Sequence, residues 1–281
     1  MAARRKVGVI GAGAMGSALV AGFLQAGLVN PEDIFVSDIR RECLEVLAGR
    51  LQVAVTEDNR EVARAGEVVI CAVKPAQVKS VLTEIAPYLT PGHLFISVAA
   101  GITISFIEAS LPPGIPVLRA MPNVPALIGE GITALALGKH AGAREREEGE
   151  ALFGAVGRVV VLPEENMDAV TGLSGSGPAY IAIILEALAD GGVKAGLPRQ
   201  VAFELALQTM IGTARMIQCT GDHPGLLKDR VASPGGSTIY GLHVLEAGGL
   251  RGLLVGAVEA ASQRARALQI SFEENKGSKN S

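Results

Sequence analysis

Lys6-Val-Gly-Val-Ile-Gly-Ala-Gly-Ala-Met-Gly-Ser17 is the stretch that decides how the rest of the chain is read. Val7, Val9 and Ile10 form a short apolar run, as a buried strand does, and Gly11, Gly13 and Gly16 follow in the spacing G-x-G-x-x-G. In that arrangement the first glycine permits a tight turn. The second lets a pyrophosphate approach the backbone, and the third lets the next helix pack close to the strand. Met15, Leu19, Val20, Phe23 and Leu24 then recur at helical spacing, so a helix is expected from near Ala14. Its first N–H groups and positive dipole end would face a phosphate. In a chain with 35 glycines the spacing alone carries little weight. The strand before it and the helix after it are what point to a dinucleotide.

Downstream, short apolar strands alternate with amphipathic helices, which implies parallel βαβ units in a doubly wound, Rossmann-type α/β sheet. Strands are expected at 34–37, 53–55, 68–72, 94–98, 117–120, 133–137 and 159–162, with helices between them, for example at 76–88 and 144–155. Gly27 and Gly49 are expected at helix ends, where a positive φ is wanted. Turns at the carboxyl ends of the strands should line one crevice. Three stand out: Ala72-Val73-Lys74-Pro75, Ser97 to Gly101, and Ala120 to Pro125. Asp38 ends the second strand, where an acid binds the ribose hydroxyls of NADH and repels the 2′-phosphate of NADPH; Arg40 and Arg41 follow, and an arginine there holds that phosphate instead. Both cofactors remain open on this reading.

Composition narrows the classes. Charged residues make up 19% of the chain and the net charge is -3, which argues against nucleic acid and acidic membranes as partners. Low charge also suggests surface hidden in an oligomer. Cys43, Cys71 and Cys219 are far apart and carry no metal-ligand spacing, so they are expected to be reduced thiols of a cytoplasmic protein with no metal. With Met1 to Lys6 leading directly into the first strand no signal peptide is expected, and no apolar run is expected to reach the ~20 residues that span a membrane.

After Glu164 and Glu165 the strand pattern stops, and helices are expected at 180–191, 200–218, 239–246 and 252–268. Val201, Leu205, Leu207, Met210, Ile211 and Ala214 leave little polar face, so a second subunit is the expected cover. Two glycine-serine clusters, Thr171 to Tyr180 and Val231 to Thr238, open helices. In the second, Ser233 is a candidate N-cap and Pro234 a first-turn residue. The N–H groups of Gly235, Gly236, Ser237 and Thr238 would then converge on an anion such as a small carboxylate. Thr238 adds a hydroxyl beside it, while the plainer alternative is a well-capped helix start. His93, His140, His223 and His243 are scattered, and no hydrolase, zinc-protease or phosphate-loop motif is present. Chemistry without an evident acid suits hydride delivery to a protonated C=N bond, because the product is an amine and no alkoxide needs a proton.

The sequence resembles the pyrroline-5-carboxylate reductases from Lys6 to about Leu268. The motifs that carry the likeness are Gly11-Ala-Gly-Ala-Met-Gly16, Ala72-Val-Lys-Pro75, Ser97-Val-Ala-Ala-Gly-Ile102, Arg119-Ala-Met-Pro-Asn123, Thr171 to Tyr180, Ala187 to Pro198, and His223 through Thr238. The resemblance implies NADPH- or NADH-dependent reduction of 1-pyrroline-5-carboxylate to L-proline. It implies cofactor contacts from Gly11, Ala12, Gly13, Ala14, Met15, Asn59, Ala72, Val73, Lys74, Pro75, Val98, Ala99 and Ala100, and Gly16, Ser37, Asp38, Arg40 and Asn123 are expected to join them. Substrate contacts would come from Val231, Ser233, Gly235, Gly236, Ser237 and Thr238, with the Thr238 hydroxyl meeting the ring nitrogen as the catalytic group. It also implies a homodimer through interleaved helices, or a larger ring such as a decamer. Where members that use NADPH often carry serine or asparagine, this chain has Asp38.

The expected layout is a Rossmann domain over 1–163, an all-helical substrate-binding and dimerisation domain over 164–272, and a polar tail over 273–281. The alternatives are a reductase of another cyclic imine carboxylate and a non-catalytic NAD(P)-sensing regulator. A β-hydroxyacid dehydrogenase is disfavoured, since neither Lys194 nor Lys228 begins its K-x-x-x-N/D pattern.

Overall fold

Strand residues buried on both faces dictate a sheet sandwiched between helices. The structure, a computed structural model, describes residues 5–274, with side chains through residue 268. In chain order the first part runs β1 (Val7–Ile10), α1 (Ala14–Gln25), β2 (Ile34–Ser37), α2 (Arg41–Leu51), β3 (Ala54–Thr56), α3 (Asn59–Ala65), β4 (Val68–Cys71), α4 (Pro75–Ile85), β5 (Leu94–Ser97), α5 (Ile104–Glu108), β6 (Val117–Met121), β7 (Gly131–Leu137), α6 (Ala143–Gly154) and β8 (Gly157–Val161). The strands lie in the order β3-β2-β1-β4-β5-β6-β7-β8. All neighbours are parallel except β6 and β7. That one antiparallel pair corrects the expectation of parallel units throughout. Residues 122–130 are too few for a crossover, which needs a dozen or more.

Alternation along the strands builds two cores. Val7, Val9, Ile34, Val36, Val68, Ile70, Leu94 and Ile96 face α1 and α6, where Leu19, Val20, Phe23 and Phe153 are wholly buried. Val69, Cys71, Phe95 and Val117 face the other way, onto Val62 of α3, Val78, Leu82 and Ile85 of α4, and Ile107 of α5. Gly27 takes a positive φ of 64° after α1 as expected. Gly49 does not: it lies inside α2, and Gln52 takes the left-handed position there at φ 56°.

The second part runs α7 (Met167–Val170), a π-helical turn (Thr171–Gly175), α8 (Gly177–Lys194), α9 (Arg199–Thr220), α10 (Pro224–Val231), α11 (Ser237–Ala247) and α12 (Leu250–Glu274). The tail expected from residue 273 begins with two residues that still belong to α12, and 275–281 lie outside the described residues. The chain divides into two compact units. One is Ser176–Glu259, and the other comprises the described residues before and after it. Arg119, 3% exposed, donates through Nη1 to Glu164 Oε1 at 2.9 Å, and Ile104 N donates to the same oxygen at 2.7 Å. These bonds fasten the turn after β8 to the sheet.

Within Ser176–Glu259, α8 and α9 lie so close that a Cβ on Gly192 would stand 2.9 Å from Ala202 Cβ. Among the described residues of this unit only Ala189 and Ala202 are buried. Ile183, Phe203, Leu205, Val244 and Leu253 are all exposed. The run Glu164–Lys194 is long and apolar enough, by length and composition, to cross a membrane, which corrects the expectation that no run has that length. Its apolar character comes from the Ala, Ile and Leu residues of α8.

Candidate active site

Strand order reverses at β1, between β2 and β4, and ligands of such sheets bind beyond the carboxyl ends of the strands at that point. A cavity of about 690 Å³ opens there. A second, of about 740 Å³, lies at the amino ends of β1 and β4, beside Val7 and Val68, and holds none of the expected site residues.

Each glycine of the first turn has a separate job. Gly11 sits at φ 109°, and a Cβ there would stand 2.7 Å from Ala72 O. A Cβ on Gly16 would stand 1.9 Å from Gly11 O, so only glycine lets α1 start against the turn. At Gly13 the nearest atom to such a Cβ is Arg40 Nη2 at 3.7 Å, which leaves room for a ligand over the backbone. Helix α1 begins at the next residue and presents its free N–H groups to that space.

The opposite wall comes from β4 and β5. Lys74 caps α4, with Pro75 as its first residue. Val98 N donates to Cys71 O at 3.1 Å, holding the flat strip Val98–Ala100 in place. Below it, burial pushes the Cys71 thiol up to about 12 against a backbone hydrogen bond from Val73, so it is a neutral piece of wall. Ser37 Oγ donates to Asn59 Oδ1 at 2.7 Å and Asn59 Nδ2 to Glu84 Oε2 at 2.8 Å, a chain that ties β2, α3 and α4 together at the rim. At the end of β2, Asp38 accepts from Ala12 N at 2.8 Å and pairs with Arg40 at 3.2 Å. Burial raises the Asp38 carboxyl, but the hydrogen bonds from the Arg40 side chain, Arg40 N–H and Ala12 N–H outweigh it and hold it below its ordinary 3.8.

Of the expected cofactor residues, all line this cavity except Ala12, Gly16 and Asn123. Ala12 is bound to Asp38 and Gly16 is the helix contact just described. The Asn123 amide is used on both sides, accepting from Ile132 N at 2.9 Å and donating to Ser174 O at 3.1 Å, so it braces the π-helical turn instead. Met121 and Pro122, from the Ala120 to Pro125 turn that was expected at the crevice, line the cavity, and so do Ile10, Ile39, Gln77, Ser80, Val81 and Glu84, which were not expected there. Gln77, Ser80, Val81 and Glu84 share one face of α4 at spacings of three and four, a signal that a polar solvated helix face also gives.

In the other unit, α10 is capped by His223, whose Nδ1 accepts from Gly225 N at 3.1 Å, a structural use for that histidine. Helix α11 does not start at Ser233 and Pro234 as expected. Gly236 is its N-cap, Gly235 takes φ 68° and Gly236 N donates to Ser233 O at 3.1 Å. That removes Gly236 from the candidate anion donors. Ser237 and Thr238 head the helix, where no intrahelical carbonyl lies four residues back for their N–H groups.

The sequence model described as "Pyrroline-5-carboxylate reductase dimerisation" matches residues 164–268. A pyrroline-5-carboxylate reductase of Methanosarcina acetivorans is 46% identical over 264 residues, 94% of this chain and 98% of its own length. The chain belongs to the pyrroline-5-carboxylate reductase family. The model described as "NADP oxidoreductase coenzyme F420-dependent" matches residues 6–101, the stretch that holds the glycine turn. Solved reductases agree in fold: that of Coxiella burnetii has a TM-score of 0.89 at 36% identity, covering 95% of this chain and 99% of its own. A Plasmodium falciparum pyrroline carboxylate reductase with NADP bound has a TM-score of 0.86 at 34% identity, covering 94% and 98%. The protein is thus an NAD(P)H-dependent oxidoreductase that reduces pyrroline-5-carboxylate to proline, and its helical part is the family's dimerisation region.

Proposed function

We propose that this reductase holds its nicotinamide dinucleotide in the cavity at the end of β1 and grips the substrate's carboxylate with residues 231–238. The observation that carries the first half is the glycine turn: atoms crowd the Cβ positions of Gly11 and Gly16, while that of Gly13 is open. The pyrophosphate would lie over Gly13 at the head of α1, and the nicotinamide would lie against Val98, Ala99 and Ala100. The cofactor supplies a hydride to the C=N carbon. The chain's own part is to orient the imine. The N–H groups of Ser237 and Thr238, at the positive end of α11, take the carboxylate, with Val231, Ser233 and Gly235 shaping its surroundings. The Thr238 hydroxyl meets the ring nitrogen. That nitrogen enters protonated, so no general acid has to be found.

The assembly completes the reading. Helices with so little buried surface fit a homodimer that covers them, built up into a larger ring such as a decamer. We place the enzyme in the cytoplasm, away from membranes and nucleic acid. The Rossmann domain would end near residue 163. Thr238→Ala tests the substrate half. Imine reduction should fall on the order of 10- to 100-fold, as one lost hydrogen bond to a charged group allows, with NADPH binding unchanged. Equal losses in both would make Thr238 a support for the fold.

A further inference from the structure

An aspartate at the end of the second strand selects the unphosphorylated dinucleotide only if its oxygens are free to accept from the 2′- and 3′-hydroxyls of the adenosine ribose. Those of Asp38 are not. A carboxylate offers about four lone-pair sites. Here Oδ1 accepts from Arg40 N at 2.9 Å and Arg40 Nε at 3.2 Å. Oδ2 accepts from Ala12 N at 2.8 Å and Arg40 Nη2 at 3.2 Å. All four sites are taken, two by main-chain N–H groups and two by one guanidinium.

Both residues line the cavity, but the guanidinium is the far more exposed member of the pair. The Arg40 side chain is 56% exposed against 8% for Asp38. Its Nη2 stands 3.7 Å from where a Gly13 Cβ would be, at the mouth of the phosphate turn. Of its five N–H donors two go to Asp38, so three remain for a ligand. Arg41, the other candidate, is tied to Glu45 at 3.1 Å and does not line the cavity.

We infer that Arg40, not Asp38, decides the cofactor: Asp38 is a positioning residue that fixes Arg40 and the glycine turn, and the fixed guanidinium receives a 2′-phosphate, so this chain prefers NADPH to NADH. This rests on the reading of the cavity as the dinucleotide site. It also explains how an acid can stand here without repelling the phosphate, since its charge is matched within hydrogen-bond distance.

Calorimetric titration of the full-length protein with NADP⁺ and with NAD⁺, without substrate, separates the possibilities. The wild type should bind NADP⁺ at least about tenfold more tightly. Arg40→Ala should weaken NADP⁺ on the order of 10- to 100-fold while NAD⁺ holds or tightens, because removing the guanidinium also frees the Asp38 oxygens for ribose. Retained NAD⁺ binding is the control for folding. A wild type that prefers NAD⁺, or a variant that loses both ligands equally, overturns the assignment of Arg40 and leaves the cavity reading standing. Failure of both dinucleotides to bind the wild type removes the cavity reading and the assignment with it.

Discussion

Gly16→Ala adds a single methyl group to the protein, at the point where α1 meets the phosphate turn. That Cβ would stand 1.9 Å from Gly11 O and 3.5 Å from Ala72 Cβ. Ordinary contact therefore demands a separation of about 1.5 Å. Neither side yields easily. Gly11 N donates to Ser37 O at 2.7 Å, and α1 is pinned by the fully buried Leu19, Val20 and Phe23. Overpacking of this kind costs about 1–3 kcal/mol, or a melting point lower by roughly 3–10 °C. The larger effect falls on binding. A helix head displaced by about 1.5 Å no longer reaches a phosphate, and losing two charged hydrogen bonds weakens NADP⁺ by at least about a hundredfold. Thermal melts and quenching of NADPH fluorescence measure both. Gly49→Ala is the control, because nothing lies within 4 Å of its Cβ inside α2 and alanine is the better helix former there. A Gly16→Ala protein with wild-type affinity and melting point would refute the close approach of helix and turn.

Three further outcomes follow from particular contacts. Glu164→Ala leaves the buried Arg119 guanidinium without its carboxylate; such losses run to about 3–5 kcal/mol when both groups are buried, and the partial exposure of Glu164 reduces this to about 2–3 kcal/mol. Denaturant unfolding reads it, and a loss under about 0.5 kcal/mol would mean that Arg119 has another partner. Cys71, neutral up to about 12 because of burial, should resist iodoacetamide at pH 8 in the native protein and react only after unfolding; native labelling as fast as that of a free thiol would contradict its burial. Asp38 is held below its ordinary 3.8, so its contribution to stability is present above that value and lost as pH falls through the lower folded value. The stability difference between wild type and Asp38→Asn should therefore be constant from pH 8 to pH 5; a difference that shrinks by pH 6 would show that Asp38 lacks these bonds.

Much of the fold was legible because β1, β2, β4 and β5 are apolar runs of the right length, and the glycine spacing announces the turn after β1. What escaped depended on distance in sequence. The antiparallel β7 looks like any other strand, and only the short link before it betrays its direction. Asn123 carries a side chain suited to a cofactor, yet its partners lie at 132 and 174, where no local pattern leads. Asp38 and Arg40 are near neighbours in sequence, but that both carboxylate oxygens are filled depends on Ala12, 26 residues away. The start of α11 was misread by local rules: Ser233 and Pro234 make a good helix opening, while the positive φ at Gly235 turns the chain and delays the helix to Ser237.

The exposed helices bear directly on chemistry. Ser176–Glu259 buries only Ala189 and Ala202 among its described residues, while Ile183, Val244, Leu253 and Val255 are each more than 60% exposed. At about 25 cal/mol per Å² of apolar surface, covering several such side chains outweighs any helix propensity these segments possess. The family's dimerisation region spans these same residues, so a second copy of the chain is their expected cover. Ser237 and Thr238 head α11 inside that unit. The segment proposed to grip the carboxylate therefore lies in the unit that association would cover, whereas the cavity at the end of β1 is lined wholly by strand ends, turns and helix faces of the first unit. Dilution that separates subunits should for that reason abolish reduction well before it abolishes dinucleotide binding.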